Sequence, residues 1–516
     1  MPFTKKIISG DGSTIGGDVI NKINDRLDEV DSQLEQKTND VDFDLLKEDY
    51  NPLINKFNGD LQSYIDSITD DSITNTIIIP KNFVYTGDLV VNKKNIIITG
   101  EGTIKGTIRI TFDKVTHANI KIQNITIQQE SNNKKNCVEI ENTFQVFFKN
   151  IKFMYGNASI FFHDKGYKHS GYIKIVDCVF SYANYNVLLT NDVSNTNEYQ
   201  VADLLLSNSH SYSTQISGIH CNGVDGFVIT SNCFFFGSFA IQEINKTNNI
   251  YIKNSNFVII QGNNLFESGA EAIKLEKYLN ANISNNNIAW SGQRLKTPAI
   301  YLTGTTQGTL SEFVNTVVEG NNINCPCYCG IKIDSYVTGL NVSNNNIIFD
   351  SSNTYYYGEE VIELSERKSI ITTNSVKEHC LFNGNMYPNS EDNIYTPTGL
   401  VKGTRIRNNF SKYGLVNKGV TAYSVNSSSE EQNVNFSDST LRGYDYIVLQ
   451  GSNEITLTNF GTDSSFDYAT ITVISYVSNV TIVNGSGIRL KDASKNTMTG
   501  NTMRRFHYFA GTWFEI

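Results

Sequence analysis

Charge is scarce in this chain. Only 18% of its 516 residues are Asp, Glu, Lys or Arg, and the balance is −10. No run of Lys or Arg interrupts that acidity, which argues against nucleic acid or an anionic membrane as partner. No stretch approaches 18 consecutive apolar residues, the length a membrane-spanning helix needs. The opening MPFTKKIISGDGSTIGG has no apolar core of signal-peptide length, so synthesis without a secretion signal is the expectation. Proline (7), methionine (5) and tryptophan (2) are rare, and there are eight cysteines. Without a secretion signal, Cys137, Cys178, Cys221, Cys233 and Cys380 read as reduced thiols packed in strands. Familiar catalytic signatures are missing as well. There is no H-E-x-x-H pair and no G-x-S-x-G elbow, and GDGSTIGG lacks the lysine of a phosphate loop. Cys325-Pro-Cys327-Tyr-Cys329 has three thiols on alternate positions, yet it lacks a fourth ligand and the usual two-residue spacer, so no metal is expected there.

What the chain does have is a degenerate repeat from about residue 96 to 410. One half reads I-x-I-x-N-x-I, as in IKIQNITI (120–127), FFKNIKF (147–153), IYIKNSNFVI (250–259) and LNVSNNNII (340–348). The other half reads I-x-I/L-x, as in GIHCNG (218–223), AIKLEK (272–277), AIYLTG (299–304), GIKIDS (330–335) and VIELSE (361–366). A fixed period of about 22–34 residues marks a stacked array. Apolar and polar residues alternate at period two, so the units are half-buried strands, and each repeat holds at least two. One strand pair cannot bury its own inner face, so successive coils must stack. The expectation is an all-β, single-stranded parallel β-helix. Recurrent asparagines fit its corners, because Asn tolerates left-handed backbone and its amides can bond from coil to coil. The candidates are Asn124, Asn150, Asn208, Asn232, Asn256, Asn287, Asn322, Asn346, Asn385 and Asn409.

Before the repeat, Ile20, Ile23, Leu27, Val30, Leu34 and Val41 form a helical a/d seam, ended by Asn51-Pro52. A second seam follows at Phe57, Leu61, Tyr64 and Ile68. Such a helix either lies on the next domain or self-associates, and no large apolar segment nearby is suited to receive it, which favours association. Residues 76–106, TIIIPKNFVYTGDLVVNKKNIIITGEGTIKG, resemble the opening of the pectate-lyase-like β-helices of bacteriophage tail spikes. The resemblance implies three parts: residues 1–72 as virion attachment and α-helical stem, 73–428 as a right-handed β-helix, and 429–516 as a C-terminal β-sandwich for trimerisation or receptor binding. The longer strands after residue 430 read as antiparallel.

Stacking turns sequence columns into spatial columns. Aligned on their first apolar residue, the I-x-I/L-x strands point outward at Glu139, Phe161, Leu188, His220, Gln242, Lys274, Tyr301, Lys332 and Glu363. Two residues on, the outward positions include Glu276, Thr303 and Asp334. Paired carboxylates with aromatic rings suit a glycan: carboxylates and amides bind hydroxyls, rings stack on sugar faces, and glycoside cleavage needs an acid and a base or nucleophile. Polar residues also face outward in any β-helix, which is the plainer explanation for any one of them. The candidate catalytic residues are Glu276 and Asp334, with Glu243 or Glu363 as an alternative acid. The candidate substrate-binding residues are His220, Lys274, Tyr301, Lys332, Tyr356 and Trp513. Trp513 and Tyr508 are either a sugar platform or, more commonly for such residues, core aromatics.

The resemblance implies a homotrimeric tail spike of the virion, made in the host cytoplasm. Tail proteins would hold its N-terminus, and a host-surface polysaccharide or teichoic acid would be bound and hydrolysed. The rival is a receptor-binding or structural virion protein without activity. A cellular pectate lyase or polygalacturonase is disfavoured by the helical stem and the missing Asp-rich polygalacturonase pattern. No cofactor is expected, unless the polymer is a phosphodiester, in which case the carboxylates would hold a divalent cation.

Overall fold

The computed structural model describes Leu53 and residues 56–132, 134–163, 169–190, 199–237, 248–304, 315–334, 339–349, 356–358, 361–362 and 366–372. Beyond these it describes short strands from Leu381 to Asn435 and most of 446–516. The first seam, residues 20–41, and Asn409's side chain lie outside the described residues. Two compact units divide the chain, Met1–Ser67 and Ile68–Ile516. In the first, Asp60 caps the short helix Leu61–Asp66 by accepting from the Ser63 amide at 3.1 Å and the Ser63 hydroxyl at 2.6 Å. The rings of Phe57 and Tyr64 stack at 4.6 Å, while Leu61 and Ile65 are buried.

The second unit is a parallel β-solenoid of about 11 turns. Each turn has three strands, one more than the minimum read from the repeat. One coil shows the rule: Ile273–Tyr278 lies on a first face, Asn280–Ser284 on a second and Asn287–Ala289 on a third. The next coil begins at Pro298–Thr303, which pairs in parallel with Ile273–Tyr278. The I-x-I-x-N-x-I half is therefore bent at its middle. In IKIQNITI, Ile120 and Ile122 belong to the second face, Asn124 turns with φ +58°, and Ile127 belongs to the third.

Inward residues stack in register. Ile250, Ile273, Ile300, Ile331 and Ile370 form one column, and Ile252, Leu275, Leu302 and Ile333 the next. All nine are fully buried, and each such side chain contributes roughly 1.5–3 kcal/mol through removal from water. The alternation at period two thus gives the correct inward set.

The corner between the second and third faces is held by side-chain amides. Asn124, Asn150, Asn208 and Asn232 adopt left-handed backbone there, as expected of corner asparagines. In later coils Gly262, Asn285, Gly320, Asn344 and Gly384 take that role. Gly320 has no room for a side chain, since an added Cβ would lie 2.5 Å from Asn285 Oδ1. The residue after each of these corners is a buried asparagine. Asn263, Asn286, Asn321, Asn345 and Asn385 form an internal ladder in which each Nδ2 donates to the next Oδ1 at 2.9–3.1 Å. Each Nδ2 also donates to a backbone carbonyl of the preceding coil at 2.9–3.0 Å. Asn287, Asn322 and Asn346 sit one residue further on, in the third-face strands, and form a looser ladder with Asn264 at 3.1–3.4 Å.

Residues 446–516 gather two sheets around one core of Ile447, Leu449, Leu457, Val473, Phe506 and Trp513, among others. The antiparallel pairing expected here is corrected for the first strands. Ala422–Asn426, Tyr446–Gln450 and Thr470–Ser475 pair in parallel, as do Gln432–Asn435, Ile455–Asn459 and Val480–Ile482. Parallel pairing therefore continues past residue 428, while Thr502–Phe509 runs antiparallel to both Thr470–Ser475 and Thr512–Glu515, and Thr512–Glu515 runs parallel to Ile488–Arg489. Among the described residues no helix is long and apolar enough to cross a membrane.

Candidate functional site

The first face presents its outward residues in a register that differs from the sequence alignment at two levels. The observed column runs Arg109, Glu139, Phe161, Leu188, His220, Tyr251, Lys274, Tyr301, Lys332, Ile371. Tyr251 stands where Gln242 was expected, and Ile371 where Glu363 was. The cause is the long strand Asn248–Gln261, which runs from the first face to the second without a break. Its IYIK segment belongs to the column that IYIKNSNFVI had been kept out of. Glu243 and Glu363 themselves lie outside the described residues. In the adjacent column Lys253, Glu276, Thr303 and Asp334 are consecutive neighbours, so Glu276 and Asp334 are two coils apart with Thr303 between them, as expected.

These side chains form one connected strip. Lys274 Nζ lies 2.9 Å from Glu276 Oε1, and the Tyr251 hydroxyl donates to Glu276 Oε2 at 2.7 Å. One step along, the Tyr301 hydroxyl donates to Asp334 Oδ2 at 3.3 Å and Lys332 Nζ lies 3.7 Å from the same oxygen. Lys274 sits over the rings of Tyr251 (5.0 Å) and Tyr301 (5.7 Å), and Lys332 over Tyr301 (5.3 Å). His220 packs edge-on against Tyr185 at 5.6 Å and Tyr251 at 4.8 Å. The lysines and carboxylates keep about a quarter of their surface in solvent, so a ligand can reach them.

Burial pushes the Glu276 carboxyl up, but hydrogen bonds from Lys274 and Tyr251 and the charges of Lys274 and Lys253 outweigh it, and its pKa falls below the ordinary value. Burial lowers the pKa of His220, partly opposed by Glu276 and reinforced by Lys253 and Lys274. Burial and then the neighbouring carboxylates raise both Tyr251 and Tyr301, which stay protonated donors. Glu276 is thus an ionised base or acceptor at neutral pH.

Sequence reasoning missed Tyr251 and Glu271. Glu271 is buried, accepts from Asn248 Nδ2 at 2.8 Å and lies close enough to Tyr251 and Tyr301 to raise both. Its position two residues before the strand Ile273–Tyr278 was the available signal. Trp513 is corrected: it is 1% exposed and packs on Tyr508 at 5.0 Å and Phe460 at 6.1 Å, so it is core and no sugar platform. Tyr356 is part-buried in a short segment folded on residues 291–297, where the Tyr357 amide donates to the Gln293 carbonyl at 2.7 Å and Arg294 Nη1 donates to the Tyr357 carbonyl at 3.0 Å. Near the start of the strands Pro298–Thr303 and Cys329–Asp334, Lys296 pairs with Glu366 at 2.6 Å and lies 5.6 Å from the Tyr328 ring.

Glu276 and Asp334 are about 9.6 Å apart at the backbone along the stack, and each carboxylate already meets an ammonium and a phenol. Among the described residues no three His, Cys, Asp or Glu side chains are grouped to hold a metal ion. Cys327 and Cys329 are buried, and Cys329 Sγ bonds the Ile331 carbonyl at 3.3 Å. Burial pushes the free thiols of Cys137 and Cys178 up to about 12 and that of Cys233 to about 11, which keeps them inert. Cys380 lies outside the described residues.

Further up the same face, Glu139 accepts from His163 Nε2 (3.1 Å), Arg109 Nε (3.0 Å) and Asn136 Nδ2 (2.9 Å). The His163 hydrogen bond, helped by Asn136 and Arg109 against burial, holds its pKa down at about 2. A carboxyl depressed in the folded state adds stability above its unfolded pKa of about 4.3 and loses it as pH falls toward the folded value. Glu139→Gln is therefore expected to flatten the stability profile between about pH 4.3 and 2, measured as the urea midpoint across that window. An unchanged slope would refute the assignment.

No family model matches the chain, and no curated protein is similar to it in sequence. Solved structures match it in part, each with a TM-score below 0.5. The A-module of the Azotobacter vinelandii mannuronan C-5 epimerase AlgE6 is 14% identical over 67% of this chain and 93% of that one, with a TM-score of 0.43. The tailspike protein of E. coli bacteriophage HK620, in complex with a pentasaccharide, is 14% identical over 87% of this chain and 80% of that one, with a TM-score of 0.34. The catalytic domain of a GH87 α-1,3-glucanase, in complex with tetrasaccharides, is 11% identical over 65% of each chain, with a TM-score of 0.37.

Proposed function

We propose that this chain is a phage tail spike that binds a host cell-surface glycopolymer along its first face and hydrolyses it there. The observation that carries the reading is the strip in which Tyr251, Lys274, Tyr301 and Lys332 alternate ring and ammonium beside Glu276 and Asp334. Phenol and ammonium donors beside carboxylate acceptors match the hydroxyls of a polysaccharide, and the ring edges offer apolar contact. Two carboxylates about 9.6 Å apart at the backbone can converge through side-chain tilt on the roughly 6.5–9.5 Å of inverting hydrolysis. Glu276, ionised, activates the water; Asp334 lies across Thr303. Incubation with purified capsule, O-antigen and teichoic acid tests this. New reducing ends or phosphomonoesters support hydrolysis, and binding without new ends supports the second reading, a receptor-binding virion protein. That second reading is favoured by one observation: each carboxylate of the strip is engaged by a lysine and a tyrosine.

The proposal includes a right-handed coil, a helical stem in residues 1–72 that joins the virion tail, a β-helix over 73–428, and a terminal module over 429–516 for trimerisation or receptor binding. It also includes a homotrimer. Light scattering of the intact protein is expected to give three times the chain mass of 57.7 kDa, and a single-chain mass would contradict it. Removing residues 1–70 is expected to leave the β-sheet circular dichroism signal intact, because the solenoid has its own stacked core. Collapse of that signal would argue against separate parts.

A further inference from the structure

A groove of about 810 Å³ opens on the second face, lined by Asn95, Asn119, Gln145, Tyr172, Lys121 and Lys174 with Phe147 and His117. It is remote in register from the strip on the first face, and it is built by one corner repeated over four coils. Asn95, Asn119, Gln145 and Tyr172 occupy equivalent corner positions, all with positive φ, at +53°, +51°, +67° and +52°. Left-handed backbone is disfavoured for a residue other than glycine, and more so for a bulky tyrosine. Tyr172 nevertheless remains 51% exposed. Its position is fixed by an aromatic cluster, 5.6 Å from Phe144 and 6.5 Å from His117, with His117 and Phe144 5.3 Å apart. Beside this corner the outward residues of the strands are Lys121, Phe147 and Lys174 in register.

We infer that this groove is a second carbohydrate site, one that holds an acidic oligosaccharide without cleaving it. An exposed, strained tyrosine framed by side-chain amides is a platform for a sugar ring with donors and acceptors for its hydroxyls. Two ammonium groups flank the platform, and no carboxylate is among the lining residues. In a chain of net charge −10, a groove lined by two lysines and no carboxylate favours an anion locally, with Asp203 at the next corner beyond Tyr172. The missing carboxyls also remove the acid and base that glycoside cleavage requires. The negative charge can be a uronate carboxylate or a phosphodiester, both of which an ammonium binds. The inference stands whether or not the first face is catalytic.

The test uses the full chain carrying Glu276→Gln and Asp334→Asn, so that no probe is consumed, and titrates tetragalacturonate, a poly(glycerol phosphate) teichoic acid fragment and neutral maltotetraose calorimetrically. One acidic probe is expected to bind at least tenfold more tightly than maltotetraose and to weaken with salt. Tyr172→Ala is expected to weaken it tenfold or more, and Lys121→Gln with Lys174→Gln to erase the preference for the acidic probe. Failure of both acidic probes to outbind maltotetraose overturns the inference. So does binding that Lys274→Gln abolishes and Tyr172→Ala leaves unchanged, since the probe then occupies the first face. A fall in light-scattering mass on Tyr172→Ala overturns it too, by showing that a second copy of the chain covers the platform. All three substituted residues are exposed or half-exposed, and thermal midpoints matching the parent establish that the variants are folded.

Discussion

Asn321→Leu is expected to destabilise the solenoid sharply, whereas Asn322→Leu, one residue further on, is expected to change little. Asn321 is 1% exposed. Its Nδ2 donates to the Ile283 carbonyl at 3.0 Å and to Asn345 Oδ1 at 2.9 Å, and its Oδ1 accepts from the Asn286 amide at 3.1 Å and Asn286 Nδ2 at 3.0 Å. Leucine has about the same bulk and none of these groups. Some partners retain other bonds: Asn286 Nδ2 still reaches the Ile260 carbonyl, and Asn345 Oδ1 still accepts from the Asn321 amide. The Asn286 amide loses a partner that nothing in a dry interior replaces, and the Ile283 carbonyl loses one of its donors. A buried polar group left unsatisfied costs about 1–3 kcal/mol, which sets the scale of the expected loss. Asn322 is exposed, and its bonds to Asn287 and Asn346, at 3.3 and 3.1 Å, can be exchanged for water. Urea midpoints of the two variants decide the matter. Equal midpoints would mean that the internal ladder does not hold the corner.

The same pair of residues shows how far the sequence could be read. Alternation at period two identified the inward column through Ile273, Ile300 and Ile331, because a one-residue slip would have put charge inside. It did not locate the ladder. In NISNNNIAW and LNVSNNNII three asparagines follow one another, and composition cannot say which turns, which is buried and which faces out. The structure assigns Asn285 and Asn344 to the turn, Asn286 and Asn345 to the interior, and Asn287 and Asn346 to the strand. Corners without a breaker were equally silent. The strand Asn248–Gln261 passes from one face to the next at Asn254 and Phe257, whose φ angles are +47° and +50°, with no Gly or Pro to mark the turn. That is why Tyr251 was assigned to the wrong column and Glu271 overlooked. The Glu276–Thr303–Asp334 alignment was legible because AIKLEK, AIYLTG and GIKIDS start on equivalent residues and their strands pair without a shift.

On that alignment rests the prediction with the largest functional effect. Glu276→Gln is expected to lower depolymerisation by a factor on the order of 10²–10⁴, the usual contribution of a positioned base, with binding to the polymer retained. Glutamine keeps an acceptor for the Tyr251 hydroxyl but cannot take a proton from water. Asp334→Asn is expected to act in the same direction, since it keeps the contact to Tyr301 and removes the second charge. The pH profile gives an independent check. Lys274 and Tyr251 hold the Glu276 pKa below its ordinary value, so the base form persists through neutral pH and is lost only below the usual carboxylate pKa of about 4.3. Lys274→Met removes the main attraction that opposes burial, so the acid limb of the rate should move to higher pH. A limb that stays in place would show that Glu276 is not the group titrating. Cleavage retained in both carboxylate variants would move the active site away from the first face. Loss of binding together with cleavage would make Glu276 and Asp334 ligands for sugar hydroxyls, and the strip a receptor site.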